Sequence, residues 1–286
     1  KAREAGATVV VVDPRYNEAA ILADEWLPVR PGTDLALLLA MINVIVEEKL
    51  YDAAFVDQYT VGFDKLEDQI INYPPQWAEK ICDIPADTII RMARQMAAEK
   101  PRALVHRGYH GAFGAQYLNS FQTARAVAIL NSLLGNINRT GGVYFSQSAE
   151  LGELQPTHPP PAGPLVPKAD GTGIPGRYPL GAYADGISHA IPELALRGKL
   201  KCGFVYHNNP LRTNPNPKRV IAGYKKLELL VVIDPMMSET ASIAHYVLPA
   251  SFHLEADEAV DTKHSGKQAQ VTLQQKAVEP LFDTRS

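Results

Sequence analysis

Two Asp-Pro pairs stand where β-branched runs end, Asp13-Pro14 after residues 9–12 and Asp234-Pro235 after residues 230–233. In an open parallel sheet the carboxyl ends of strands are where ligands sit, and a carboxylate there can accept hydrogen bonds from a ribose or a purine. The pairs belong to an internal repeat. At an offset of 221 residues, VVVVDPRYNEAAILADEWLP (9–28) aligns without a gap with LVVIDPMMSETASIAHYVLP (230–249), and nine of the twenty positions are identical, where chance would give roughly one or two. Two such sites in one chain suggest two nucleotide-like groups, or one ligand with two such arms. Duplication of a scaffold that binds nothing is the plainer reading. A second chemical group is His106, Arg107 and His110, which could hold an oxyanion or a sulfur anion by charge-assisted hydrogen bonds. Its plainer counterpart is a surface loop with satisfied histidines.

The elements that must position these residues can be read from periodicity and punctuation. Each copy of the repeat has the pattern strand, turn, small helix, strand. After the first copy, Arg30-Pro31-Gly32-Thr33-Asp34 turns into a helix running to about residue 48, with Thr33 or Asp34 as N-cap beside free backbone N–H groups. Helices are expected near 53–58, 65–71 and 87–99, a strand at 102–106 after Pro101, and a domain boundary at residue 105. Residues 116–134 are amphipathic at period 3.6 and stop at Gly135. A short strand is expected at 141–145. Residues 146–185, with Pro159-Pro160-Pro161 at their centre, form a Pro/Gly-rich excursion unfit for a helix or an inner strand. A helix at 188–197, a strand at 202–206 ending in His207-Asn208-Asn209-Pro210, a helix at 218–226 and the second copy complete a β-α-β order, hence a parallel pair with a right-handed crossover. The expected fold class is α/β: two Rossmann-like nucleotide-binding lobes, residues 1–105 and 106–286, with parallel sheets and an internal repeat.

Composition excludes several functions. The 286 residues are 46% hydrophobic with a net charge of −3, and their Lys and Arg are scattered, so the chain has a filled core and no basic field for a nucleic acid. The longest apolar stretch, 35–46, is broken by Asn43 and is too short to span a bilayer, so it reads as a buried helix. Cys82 and Cys202 have no Cys or His at ligand spacing, so neither an iron-sulfur cluster nor a zinc site can be built from them. Gly171, Gly173 and Gly176 match G-x-G-x-x-G literally, but no strand precedes them and Pro175 interrupts the would-be helix. There is no P-loop and no nucleophile-elbow motif. The first residues have helix-forming composition without a cap and no initiator Met, which leads us to expect a fragment that starts inside a βα unit and shows no signal peptide.

The runs VVVVDPR, AILADEWLPVRPGTDLALLLAMINVIVEEKLYD, FVYHNNP, VVIDPMMSETA, YVLPASFHLE and AVEPLF together resemble the molybdopterin oxidoreductase family, most closely its dimethyl sulfoxide reductase-like branch of catalytic subunits. The resemblance runs in order from about residue 9 to the end and leaves only 146–185 unmatched. It implies a bis(molybdopterin guanine dinucleotide) cofactor carrying molybdenum or tungsten, held by two related α/β domains, one per guanine arm. By resemblance the first arm lies on Asp13, Pro14 and Arg15 with Gly32, Thr33 and Asp34, and the second on Asn208, Asn209, Ile233 and Asp234 with Glu255 nearby. A carboxylate can accept from guanine N1–H and its exocyclic amine as a pair, while Asn can meet O6 and ribose hydroxyls. As ordinary structure, Asp before Pro serves a turn and paired Asn caps a helix. The chain departs from the family at Glu258 and Thr262, where a Gly and an Asn are usual. The cysteine-rich cluster segment, the residue that ligates the metal and the C-terminal cap domain have no counterpart here, so a 4Fe-4S cluster is expected in the parent protein and not in this chain.

Residues 105–111, VHRGYHG, loosely resemble the His-Pro-Gly-Arg-His stretch of polysulfide and thiosulfate reductases, with Arg and Tyr exchanged. The resemblance therefore implies His106, Arg107 and His110 on the substrate side, a small sulfur or other oxyanion as substrate in anaerobic respiration, and an iron-sulfur electron-transfer subunit with a membrane anchor subunit as partners. It implies a periplasmic place, or the outer face of the cytoplasmic membrane. Fold alone does not choose among arsenate, tetrathionate, nitrate and formate enzymes. Two other classes stay open: a thiamine-diphosphate or NAD-dependent Rossmann-like enzyme, which leaves the paired Asp-Pro repeat unexplained, and a non-catalytic homologue kept as scaffold in an electron-transfer complex.

Overall fold

The computed structural model describes residues 3–106, 119–145, 168–172, 186–261, 269 and 271–284, and the chain divides into two compact units, 1–147 with 266–268, and 148–265 with 269–286. Both mix helices with parallel strands, an α/β architecture. The first unit opens with β1 (Val10–Val12), α1 (Glu18–Ile21) and β2 (Glu25–Leu27). These strands pair in parallel, Val10 opposite Glu25 and Val12 opposite Leu27. Six helices follow: α2 (Asp34–Glu47), α3 (Ala53–Tyr59), α4 (Phe63–Ile70), α5 (Pro75–Cys82), α6 (Ala86–Ala98) and α7 (Ser120–Leu133).

Helix α2 is apolar on almost every side, as a helix enclosed by neighbours must be. It packs against α4, α5, α6 and α7. Its one polar interior residue, Asn43, is satisfied by donating from Nδ2 to Ile70 O at 3.0 Å. Helix α5 lies outside the sequence expectations, although Pro75 at its first turn suits a helix start. It ends at Asp83, whose φ of +62° breaks the helix and whose carboxylate takes a bidentate pair from Arg30 at 2.8 and 2.6 Å.

Two expected strands do not form. Residues 103–106 carry no sheet pairing; instead Val105 is bonded by a side chain, Asn131, through both its N–H and its C=O. Residues 141–145 contribute only an isolated bridge between Ile137 and Val143. The division at residue 105 also differs from the observed units. Helix α7 drives Ala126, Val127, Leu130 and Leu133 into the core around α2, and that burial ties residues past 105 to the first unit.

The second unit runs α8 (Ile191–Leu196), β3 (Cys202–Tyr206), α9 (Pro210–Thr213), α10 (Pro217–Tyr224), β4 (Leu229–Asp234), β5 (Tyr246–Pro249), β6 (Glu258–Asp261) and β7 (Val271–Gln274). β3, β4 and β5 form a parallel sheet with β4 at its centre. The β6–β7 pair is an antiparallel ribbon that the sequence did not announce. On one sheet face Val205, Leu230 and Val232 are buried with Ala195, Leu211, Val220 and Tyr224. Helices α8 and α10 meet closely enough that a Cβ on Gly223 would lie 2.5 Å from Pro192 Cα, which requires glycine there. The other face carries Phe204, Tyr206, Tyr246 and Leu248, all at least half exposed.

The repeat has a shared register. Val10 opposes Glu25 and Val231 opposes Tyr246; Val12 opposes Leu27 and Ile233 opposes Leu248. Every pair shifts by the same 221 residues.

Candidate functional site

Both Asp-Pro turns sit just beyond the carboxyl ends of parallel strands, and their hydrogen bonds match atom for atom. Asp13 Oδ1 accepts from Arg15 N at 2.8 Å and Oδ2 from Asn17 Nδ2 at 2.9 Å. Asp234 Oδ1 accepts from Met236 N at 2.9 Å and Oδ2 from Ser238 Oγ at 2.8 Å. The bridging residue in each copy then caps the following turn, Asn17 Oδ1 accepting from Ala20 N at 3.0 Å and Ser238 Oγ from Ala241 N at 3.3 Å. The Asx geometry explains why Asp precedes Pro here. It does not exhaust the carboxylates, since each oxygen has a second lone pair and both residues stay partly exposed.

Around the first turn, Pro14 is exposed and the Arg15 side chain is 83% exposed, with Nε 4.0 Å from Asp13 Oδ1. Trp26 Nε1 donates to Asp13 O at 2.9 Å and packs edge-on against Tyr16. These contacts fix the turn while leaving the guanidinium outward. Gly32, at φ +79°, takes the left-handed conformation that lets the chain turn into α2. Thr33 does not cap that helix with its side chain; its Oγ1 donates to Arg30 O at 2.6 Å. Asp34 is the first residue of α2, where a carboxylate suits the helix dipole.

In the second unit, β3 ends at Tyr206, and His207 adopts a left-handed φ of +53°, a costly conformation for a residue with a side chain. The turn separates the paired asparagines. Asn208 is exposed and its side chain has no hydrogen-bond partner among the described residues. Asn209 instead latches the β3 loop to the β4 turn: Oδ1 accepts from Thr240 N at 3.2 Å and Thr240 Oγ1 at 2.7 Å, while Nδ2 donates to Glu239 at 2.6 Å. That amide bond holds the Glu239 carboxyl below its usual range. Thr240 is fully buried; its role, and those of Asn17 and Ser238, escaped the sequence reading, although two capping residue types at one repeat position were a usable signal. Ile233 is half-buried in β4, and Glu255 is partly exposed with its carboxylate accepting from Phe252 N at 3.0 Å.

His106 is exposed. Arg107, His110 and Thr262 lie outside the described residues, as does most of the 146–185 excursion. Among the described residues no group of three or more His, Cys, Asp or Glu could hold a metal ion, and no helix is long and apolar enough to cross a membrane. Cys82 is buried, which pushes its thiol pKa up, while Cys202 is exposed.

The first turn leaves open an acceptor (the Asp13 carboxylate) and a cation (Arg15), and the second an acceptor (the Asp234 carboxylate) and an amide (Asn208) with no side-chain partner among the described residues. A carboxylate can accept from guanine's N1–H and amine, a guanidinium can meet a phosphate, and an amide can meet O6 or a ribose hydroxyl.

The family model of the molybdopterin oxidoreductases matches residues 1–286. Among curated relatives, the molybdopterin-containing subunit PhsA of thiosulfate reductase from Salmonella typhimurium is 36% identical across 99% of this chain and 38% of its own length. Formate dehydrogenase H from Escherichia coli is 30% identical across 100% of this chain and 40% of its own length. Among solved structures, acetylene hydratase from Pelobacter acetylenicus aligns with a TM-score of 0.78 at 25% identity, covering 99% of this chain and 42% of that one. The chain thus spans about two fifths of the length of the relatives it matches. With the family model matching from end to end, this chain belongs to the molybdopterin oxidoreductase family.

Proposed function

We propose that the chain is the central, cofactor-binding part of a molybdenum- or tungsten-dependent oxidoreductase catalytic subunit, built as two Rossmann-like lobes that each hold one guanine arm of bis(molybdopterin guanine dinucleotide). The observation that carries this reading is the equivalence of the two Asp-Pro turns, identical in strand register and in carboxylate hydrogen bonding. Duplication for scaffolding alone demands the strands; it does not demand an open carboxylate edge on both copies. Asp13, Pro14, Arg15, Gly32, Thr33 and Asp34 would hold the first arm. Asn208, Asn209, Ile233, Asp234 and Glu255 would hold the second.

When bound, the pterin-held metal supplies the electron and atom transfer. This chain's residues orient the cofactor's two ends, and His106, with Arg107 and His110, would draw a small anionic substrate by charge-assisted hydrogen bonds. The relative named for thiosulfate reduction supports a sulfur oxyanion as substrate, and anaerobic respiration is the setting proposed for that reaction. A 4Fe-4S cluster elsewhere in the parent protein, an iron-sulfur electron-transfer subunit and a membrane anchor subunit would be the partners of this part.

The test is analysis of the full-length protein for metal and for guanine nucleotide released by acid. Two guanine nucleotides per molybdenum or tungsten are expected. A protein that carries the metal with a single guanine, or with none, has one idle turn or two, and the reading falls.

A further inference from the structure

In the second unit β4 lies between two strands, with Phe204 of β3 opposite Val231 and Tyr206 opposite Ile233. Its repeat mate β1 has a neighbour on one side only, β2. Parallel strands bond through alternate residues. Val9 O accepts from Asp24 N at 2.9 Å and Asp13 N donates to Leu27 O at 3.2 Å, so Val9, Val11 and Asp13 turn their backbone groups toward β2. Val10 and Val12 turn theirs to the opposite edge, where no strand lies among the described residues. They are the mates of Val231 and Ile233, the residues of β4 that face β3. Burial follows the pairing: Leu230, Val231 and Val232 are 0%, 7% and 0% exposed, whereas their mates Val9, Val10 and Val11 are only half-buried.

The same comparison singles out one carboxylate. Glu18 and Glu239 are the same residue at the same repeat position. Glu239 accepts from Asn209 Nδ2 at 2.6 Å, and Asn209 sits in the loop that follows β3. Glu18 is exposed, and its carboxylate has no hydrogen-bond or ion-pair partner among the described residues. Asn17 already caps α1, so capping does not account for a glutamate in both copies. A row of unpaired N–H and C=O groups is a template for a further strand. Parallel sheets are as a rule enclosed by other elements, and a sheet of two strands is marginal on its own.

We propose that the free edge of β1, together with Glu18, is the docking site for a third parallel strand from elsewhere in the parent polypeptide, whose following loop brings a side-chain N–H or O–H donor to Glu18 as Asn209 comes to Glu239. The occupant is a segment of the same protein, because the chain spans only 38% and 40% of the length of two relatives and because β3 reaches β4 within one chain in the other copy. It faces Val10 and Val12 as Phe204 and Tyr206 face Val231 and Ile233, and it gives the Asp13 turn the sheet neighbour that the Asp234 turn has. The inference rests on the reading of the chain as part of a longer catalytic subunit, and not on either turn holding guanine.

The experiment is amide hydrogen exchange on the full-length protein. Protection of the Val10 and Val12 amides is expected to match that of Val231 and Ile233. Glu18→Ala is expected to speed exchange at Val10 and Val12 about tenfold, the loss of one hydrogen bond to a carboxylate, while Glu18→Gln, which keeps one acceptor oxygen, recovers part of it. Glu239→Ala supplies the reference at Val231 and Ile233. Free exchange at Val10 and Val12 beside a protected Val11 shows a bare edge and overturns the proposal. Protection that is lost on dilution assigns the edge to a second copy of the chain and overturns it too. Protection untouched by Glu18→Ala, where Glu239→Ala does speed exchange in its own sheet, overturns the role of Glu18. None of these outcomes depends on guanine content, whose loss would sink the cofactor reading alone.

Discussion

Asp24 and His245 stand at the same position of the two repeats and hold the same backbone group: Val9 N donates to Asp24 Oδ2 and Leu230 N to His245 Nδ1, both at 2.9 Å. The bond from Val9 N, with help from Arg3, keeps the Asp24 carboxyl below its usual range. For His245 to accept at Nδ1, its proton must sit on Nε2, an assignment made from the partner. A carboxylate and an imidazole are unlike as residues and alike as single acceptors, which is why alignment by identity passes over the pair. His245→Asp is therefore expected to preserve protection of the Leu230 amide against hydrogen exchange, and His245→Leu to lose about 1 kcal/mol of it. Equal protection in wild type and His245→Leu would show that the bond contributes nothing.

The two Asp-Pro turns differ in one respect that a substitution can expose. Asn17 uses both ends of its amide, Nδ2 donating to Asp13 and Oδ1 accepting from Ala20 N. In Asp13→Asn the new Nδ2 meets Asn17 Nδ2, donor against donor, and flipping either amide breaks another bond. Ser238 is a hydroxyl, which can turn and accept from the amide of Asp234→Asn. Both variants of the full-length protein should retain less guanine nucleotide. In thermal denaturation Asp13→Asn is expected to cost about 1–2 kcal/mol and Asp234→Asn less than about 0.5 kcal/mol. Equal costs would mean that the second residue of each bridge is irrelevant to the turn.

That asymmetry shows where sequence reading succeeds and where it stops. The strand register of the repeat, the buried helix α2 and the strand β3 (Cys202–Tyr206) follow from local patterns, because β-branched runs and apolar periodicity report burial directly. The stretch 102–106 has an extended pattern too, yet the partner completing its hydrogen bonds is the side chain of Asn131, 26 residues away on a helix. No local signal distinguishes a ladder made by a strand from one made by an amide. The same limit hid Thr240, whose value as an anchor comes from Asn209 across the sheet edge. Asn208 and Asn209 are neighbours of one type, and only the left-handed turn at His207 assigns one outward and one inward.

The carboxyl of Asp170 has its pKa lowered to about 2, first by the bond from Ile187 N, then by Thr172 N and its hydroxyl. These bonds tie together two points 17 residues apart. Because the folded-state pKa lies below the ordinary value of 3.8, the bonds contribute in full above about pH 4 and are lost as pH falls toward about 2. Exchange at the Ile187 amide should therefore accelerate, beyond its intrinsic pH dependence, as pH drops through that window. Asp170→Asn keeps one acceptor for three donors; it should show faster exchange at neutral pH and no added acid dependence. A variant whose pH profile tracks the wild type would assign the acid sensitivity to another group.

The final prediction separates a group whose only part is to face ligand from one that also holds the scaffold. Asn208 is exposed, with no side-chain partner among the described residues, so its removal breaks no hydrogen bond among them. Asn209 bonds Thr240 twice and Glu239 once, and Thr240 Oγ1 also accepts from Leu211 N at 3.3 Å. Truncating it leaves a fully buried threonine short of a partner, a loss of about 1–3 kcal/mol. In the full-length protein, Asn208→Ala should lower guanine content while leaving the melting temperature unchanged. Asn209→Ala should lower both, because releasing Thr240 loosens the turn that carries Asp234. Full guanine content in Asn208→Ala would remove Asn208 from the cofactor site. An unchanged melting temperature in Asn209→Ala would show that the latch is not what holds the turn.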